Sequence, residues 1–232
     1  MKNIFLFFYN LVENNLHLQR LKFFFKKKVK LYKPIYFDIG AHRGKFLNLF
    51  KKIYENGSFY CFEPNITAHN YLISSFQSKK TNFFNLAVGK KNEIAKMIIN
   101  PIDLTNTLSK VNFNSKYLKL KNFLLSINKK INETQIKKIK VIKLDNFCIK
   151  NNIKKIDILK IDVEGFELQV LQGANKILNK TNYVLIEIQN NKMYKNYSKK
   201  KIESFLEKKK FKLIKKFKFP LMFFEDRVYK KF

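Results

Sequence analysis

The sequence predicts an α/β protein with a mostly parallel, doubly wound sheet, closed by a C-terminal antiparallel hairpin. Three observations predict it. From Pro34 onward, short apolar runs alternate with segments of helical period. The junctions between them carry Gly, Asn or Pro. The chain then ends in two extended aromatic and lysine-rich runs around Pro220.

The elements follow in order. "IYFDI" is a short apolar strand that turns at Gly40 and Gly44 into a helix, with Phe46, Leu47, Phe50 and Ile53 at helical spacing. Asn56-Gly57 ends that helix. "SFYCFEP" is the second strand, ending at Glu63 and stopped by Pro64; "NITAHNYLISSF" is a helix with Asn65 as its N-cap. "TNFFNLAVG" reads as one strand ending at Gly89, which completes a βαβαβ unit. "EIAKMIINP" is a further strand. Residues from about 101 to 140 are rich in Lys and Asn and read as an insertion, a flap or partly helical lid. "KKIKVIKLDNFC" reads as extended, "IDILKIDVEG" as a buried strand ending in acids, and "FELQVLQGANKIL" as a helix. "NYVLIEIQN" is a strand, "KKIESFLEKKK" a helix, and the last two runs pair as the hairpin.

A chain of 232 residues suits one such domain, here 34–232, preceded by a basic, aromatic, helical extension over 1–33. The extension opens "NIFLFFYNLV" but meets Glu13 and polar residues too soon to span a bilayer, and no small-residue cleavage site follows. Its Phe residues can pack on the main domain, or its basic aromatic face can touch an anionic membrane surface. The formal charge of +31 invites a nucleic-acid reading, but the only arginines are Arg20, Arg43 and Arg227. Lys, Asn, Ile and Phe share A/T-rich codons, so base composition alone can produce this charge. Cys61 and Cys148 lie in apolar contexts without metal-type spacing, which suits reduced thiols and a cytoplasmic protein.

Two constellations carry the chemistry. A dinucleotide site presents G-x-G-x-x-G, whose bare amides receive a diphosphate at a helix N-terminus. Here the order is Asp38, Gly40, Ala41, His42, Gly44, with an acid at the leading position. A carboxylate there repels a diphosphate and suits a cationic nucleoside such as S-adenosylmethionine. Glu63, at the next strand end, is placed to accept ribose hydroxyls, Pro64 and Asn65 follow it, and Ala87 and Val88 flank the adenine. The plainer alternative is that the glycines serve tight packing and Glu63 caps a helix. The second constellation is "KIDVEG", where Lys160, Asp162 and Glu164 alternate at the end of an apolar strand. Charges are seldom tolerated there unless the strand opens into a site, and Lys160 and Asp162 can pair.

Together "FDIGAHRG", "FYCFEPN", "NLAVG" and above all "KIDVEGFELQVLQGA" resemble the FkbM-type methyltransferases, over about Ile35 to Gln189. "VIKLDNF" and "NTLS" fit the same pattern, and His42 stands where such enzymes commonly carry Asn. The resemblance implies a Rossmann-like class I methyltransferase fold, S-adenosylmethionine as donor, and transfer to a hydroxyl of a sugar, glycan or secondary metabolite. Asp162 is the first candidate for the base, Glu164 the second, and Lys160 would orient or neutralise them. A divalent ion held by Asp162 and Glu187, with Asn190 nearby, is conceivable by analogy with catechol O-methyltransferase-like enzymes, and such oxygen ligands would suit magnesium; no ligand spacing compels it. The alternative for Glu187 is an ion pair with Lys160.

Rival classes fare less well. A nicotinamide oxidoreductase lacks its first glycine here. A nucleic-acid methyltransferase fits the charge but not "DVEG", which stands where an Asn/Asp-Pro-Pro-aromatic run is typical. A non-catalytic membrane-surface or scaffold protein would not need Asp38, Glu63, Asp162 and Glu164 together. The acceptor and the oligomeric state are not legible.

Overall fold

The computed structural model describes residues 16–99, 106–124, 135–218 and 224–232. The first described element is helix α1 (Leu18–Lys28). Then come β1 (Ile35–Ile39), α2 (Lys45–Ile53), β2 (Ser58–Phe62), α3 (Ile66–Phe76), β3 (Thr81–Phe84), β4 (Ala87–Val88), β5 (Glu93–Ile99) and α4 (Lys116–Leu124). The second half holds β6 (Gln135–Ile142), α5 (Leu144–Lys150), β7 (Ile156–Ile161), α6 (Glu167–Gly173), a 3-10 turn (Ile177–Lys180), β8 (Thr181–Gln189), α7 (Lys199–Lys208), β9 (Phe211–Lys218) and β10 (Phe224–Lys231).

Seven strands form one sheet in the order β3-β2-β1-β7-β8-β10-β9. The first five are parallel, and β10 runs antiparallel to both β8 and β9. The chain order reverses between β1 and β7, which opens the crevice where such sheets hold ligands. One face packs against α1, α2 and α3 through Leu21, Phe25, Leu47, Phe50 and Leu72. The other packs against α5, α6 and α7 through Leu144, Val170, Leu171, Ile202 and Leu206. Cys61 and Cys148 are buried free thiols, one in each core.

Three local readings change. "TNFFNLAVG" is two strands, because β4 leaves the main sheet and joins β6 and β5 in a second, three-stranded sheet. "LDNFC" is helical: Asp145 accepts from the amides of Lys176 and Ile177 and anchors α5 against the 3-10 turn. The helix over "FELQVLQGANKIL" breaks after Gly173, where an added Cβ would lie 1.9 Å from the Gly89 carbonyl. Pro220 lies outside the described residues. The described part of the insertion is tied down by bridges Ile98–Thr107 and Val111–Tyr194.

Helix α1 packs on the domain. Phe25 is fully buried with its ring 4.8 Å from Phe50, and Tyr54 donates its hydroxyl to the Val29 carbonyl at 2.8 Å. Among the described residues no helix is long and apolar enough to cross a membrane.

The period of two along the strands sets up the site. Tyr36, Ile158, Leu185 and Val228 point into the α1/α2 core. Two residues further toward the sheet's ligand edge, the same face carries Asp38, Lys160, Glu187 and Asp226. Asp38 is register partner to Lys160, and Glu187 to Asp226. Across β7 and β8 Lys160 is paired with Leu185, so the two pairs are offset by two residues. Four ionisable residues on four adjacent strands thus share one face, with Glu187 and Asp226 one step further toward the ligand edge.

Candidate functional site

The glycine turn joins β1 to α2. Gly40, His42 and Gly44 all have positive φ, at 79°, 46° and 76°. His42 sits in the left-handed region, where His, like Asn, is better tolerated than most residues. The amides of Gly40 and Ala41 donate to the Phe62 carbonyl at 3.0 and 3.1 Å, tying the turn to the end of β2. Protein packs closely against both glycines, and Gly40 also lines the cavity above the turn. A Cβ on Gly40 would lie 1.8 Å from the Asp162 carbonyl oxygen, and one on Gly44 would lie 2.6 Å from the Phe76 ring. The packing explanation thus accounts for both glycines.

Asp38 stands beneath this turn, completely buried and absent from the cavity wall. The expectation that its carboxylate faces a cationic ligand gives way to an internal partner: Lys160 Nζ lies 3.0 Å from Asp38 Oδ1. The same ammonium donates to the Gly40 carbonyl at 3.0 Å, lies 3.5 Å from Asp162 Oδ2, and sits 4.7 Å over the Phe46 ring. Burial pulls the Lys160 ammonium down, but Asp38 and then Asp162 hold it above its ordinary range. Lys160 is charged, buried, and bound to both strand ends and the turn.

Above the turn lies a cavity of about 480 Å³, within the usual range for small-molecule sites. Of the residues expected at a site, Gly40, Ala41, His42, Glu63, Pro64, Ala87, Val88, Lys160, Asp162 and Glu164 line it. Gly44 and Asn65 do not; Asn65 caps α3, its side chain accepting from the Thr67 amide at 3.0 Å. Glu63 is buried and held by two amides, His42 N–H to Oε2 and Asn65 N–H to Oε1, both at 2.8 Å. A carboxylate fixed in this way is suited to accept vicinal hydroxyls. Beside it Phe62, Leu86, Val88 and Met97 make an apolar slot.

The other end of the cavity is acidic. Strand β7 stops at Ile161, so Asp162, Val163 and Glu164 form a loop rather than a continued strand. The Asp162 amide donates to the Ile39 carbonyl, and its side chain reaches the cavity. Glu164, at φ 52°, accepts from the Tyr194 hydroxyl at 2.5 Å, while Thr107 donates to its carbonyl at 2.6 Å. Gly165 has φ 93°, and a Cβ there would strike the Tyr194 ring at 2.5 Å. The last acid of "DVEGFE", Glu167, is fully buried and accepts from the amides of Gly165 and Val163. Burial pushes its carboxyl up to about 8.

Glu187 and Asp226 complete the acidic end. Burial, and then the charges of Asp162, Glu164, Asp226 and Glu167, hold the Glu187 carboxyl well above the usual carboxylate range. Gln189 donates to Glu187 Oε1 at 2.5 Å, and no ion pair joins Glu187 to Lys160. The magnesium arrangement is not assembled. Asn190 is exposed, takes a hydrogen bond from Lys199 and is absent from the wall, and no group of three His, Cys, Asp or Glu among the described residues has metal-ligand geometry.

Sequence reasoning missed His17 and Asp226. His17 is buried in the cavity wall with Nε2 2.7 Å from Asp226 Oδ2. The available signal was "EDR" inside an apolar strand, the same anomaly that exposed "KID". Its Arg227 turns the other way, to Glu225 and Glu203.

The family described as the Methyltransferase FkbM domain matches residues 38–213. The 2-O-methyltransferase NoeI of Sinorhizobium fredii is 22% identical over 162 residues, 69% of this chain and 65% of that protein. The hexuronic acid methyltransferase AglP of Haloferax volcanii is 40% identical over 50 residues, 22% of this chain and 21% of its own length. The crystal structure of an FkbM methyltransferase from Methylobacillus flagellatus superposes with a TM-score of 0.55 at 13% identity, over 89% of this chain and 46% of that one. The chain spans less than two thirds of the length of each. The shared fold is that of class I, Rossmann-like methyltransferases.

Proposed function

This chain belongs to the FkbM methyltransferase family, and from that premise we propose that it is an S-adenosylmethionine-dependent O-methyltransferase acting on a hydroxyl of a sugar or glycan. One observation carries the reading: a single cavity has an amide-held carboxylate, Glu63, at one end and the acids Asp162, Glu164, Glu187 and Asp226 at the other. The names of NoeI and AglP support methylation at oxygen and a sugar acceptor.

Glu63 would hold the ribose hydroxyls, and Phe62, Leu86, Ala87 and Val88 the adenine. Bound there, S-adenosylmethionine supplies an electrophilic methyl group on a sulfonium. The protein's contribution is alignment and exclusion of water, with a base for the hydroxyl proton. Asp162 takes that proton. Glu164, fixed by Tyr194 and Thr107, shapes the wall beside it. Lys160 has no spare role at the reacting atoms; it is a positioning residue that locks the turn against β7.

The test is transfer of labelled methyl from S-adenosylmethionine to a panel of methyl hexosides and hexuronic acids, with calorimetry of S-adenosylhomocysteine binding. Binding that falls about tenfold or more in Glu63→Ala, and label in a sugar ether, are expected. Binding of NAD in place of S-adenosylhomocysteine would overturn the reading.

A further inference from the structure

We propose that the outward face of α1 docks this protein on an anionic lipid surface. The helical period divides "LQRLKFFFKKK" into two faces. Leu18, Leu21 and Phe25 turn inward and are at most 9% exposed. Gln19, Phe23, Lys26 and Lys27 turn outward, and Phe23 is 61% exposed. The three adjacent phenylalanines therefore do not share one role: Phe25 is core, Phe24 is partly covered, and Phe23 meets solvent.

The outward face has the chemistry of a headgroup contact. Lys27 Nζ lies 4.4 Å over the Phe23 ring, and just past the helix Lys33 Nζ lies 5.1 Å over Tyr32, itself 82% exposed. Residues 16–33 carry seven Lys or Arg and no Asp or Glu, so the partner is an anion. Exposed rings flanked by lysine stems suit an interface, with the rings at the acyl boundary and the ammonium groups among phosphates. Nucleic acid is less well served. The face is a convex helix rather than a groove, and Arg20, the one arginine on it, leans on Phe217 with its guanidinium 5.9 Å from that ring. His17, the residue that precedes this helix, stands in the cavity wall, so the docking face and the cavity adjoin the same element.

The experiment is co-sedimentation of the full chain with vesicles of phosphatidylcholine alone, or with roughly one third phosphatidylglycerol, at low salt and at about 0.5 M NaCl. Three proteins are compared: wild type, F23S/K26E/K27E, and K137E/K138E, which reverses equal charge on exposed lysines of β6. Thermal melts check that all three are folded; every substituted side chain is exposed. The expected result is salt-sensitive binding to the anionic vesicles only, reduced about tenfold or more in the α1 variant and retained in the β6 variant. Equal loss in both variants would overturn the proposal, since net charge alone would then drive binding. Undiminished vesicle binding by the α1 variant would overturn it too. So would tighter binding of the wild type to single-stranded RNA than to vesicles at equal phosphate, lost in the α1 variant.

Discussion

Lys160 Nζ and Asp38 Oδ1 stand 3.0 Å apart in the fully buried floor of the site, and the same ammonium reaches the Gly40 carbonyl. One side chain thus fastens the ends of β1 and β7 and the turn between β1 and α2. Replacing it with methionine would leave the Asp38 carboxylate buried without its cation. Such a loss costs about 3–5 kcal/mol. Urea denaturation of Lys160→Met should show a loss of that size, and Asp38→Asn in the same chain should restore part of it. A variant as stable as wild type would mean that Asp38 is not ionised in the fold.

The two glycines of the turn should respond differently. In Gly40→Ala the methyl meets the backbone carbonyl of Asp162, which has little room to retreat, so folding or cofactor binding should be lost. In Gly44→Ala it meets the ends of the Leu72 and Phe76 side chains rather than backbone, and the φ of 76° adds strain of its own. A cost of about 1–3 kcal/mol with S-adenosylhomocysteine affinity retained is expected there. Thermal melts and calorimetry on both variants decide it.

Glu167 makes stability depend on pH. Below about 4.5 its carboxyl is protonated in both states; between 4.5 and about 8 the unfolded chain ionises while the folded one keeps the proton. The native state then binds more protons, so stability falls as pH rises through that window and levels off above it. Glu167→Gln keeps an acceptor for the Gly165 amide and removes the titration. Its stability relative to wild type should increase from pH 5 to pH 8, on the order of a few kcal/mol at most. Parallel curves for the two proteins in urea would refute this.

Asp162→Asn tests the base. Its side chain is partly exposed to the cavity, so the variant should fold and bind S-adenosylhomocysteine normally. Methyl transfer should drop about a hundredfold or more. Full turnover with normal binding would move the role to another acid of the cavity, with Glu164 next in line.

The sequence by itself determined the alternation of strands and helices, the turn at Gly40 and Gly44, the acid at the end of β2 and the charged end of β7. These are local facts of period and punctuation, and residues within a few positions decide them. Which group each acid meets was decided only by tertiary structure. Asp38 looks like a ligand contact in "FDIGAHRG", yet it belongs to Lys160, because parallel pairing of β1 with β7 sets the two side chains side by side across 122 positions of chain. Glu187, Asp226 and His17 reach the same cavity from β8, β10 and α1, through strand register and helix docking that no single segment encodes. The same holds for Phe23 and Phe25, neighbours in one run, of which packing buries one and leaves the other to solvent.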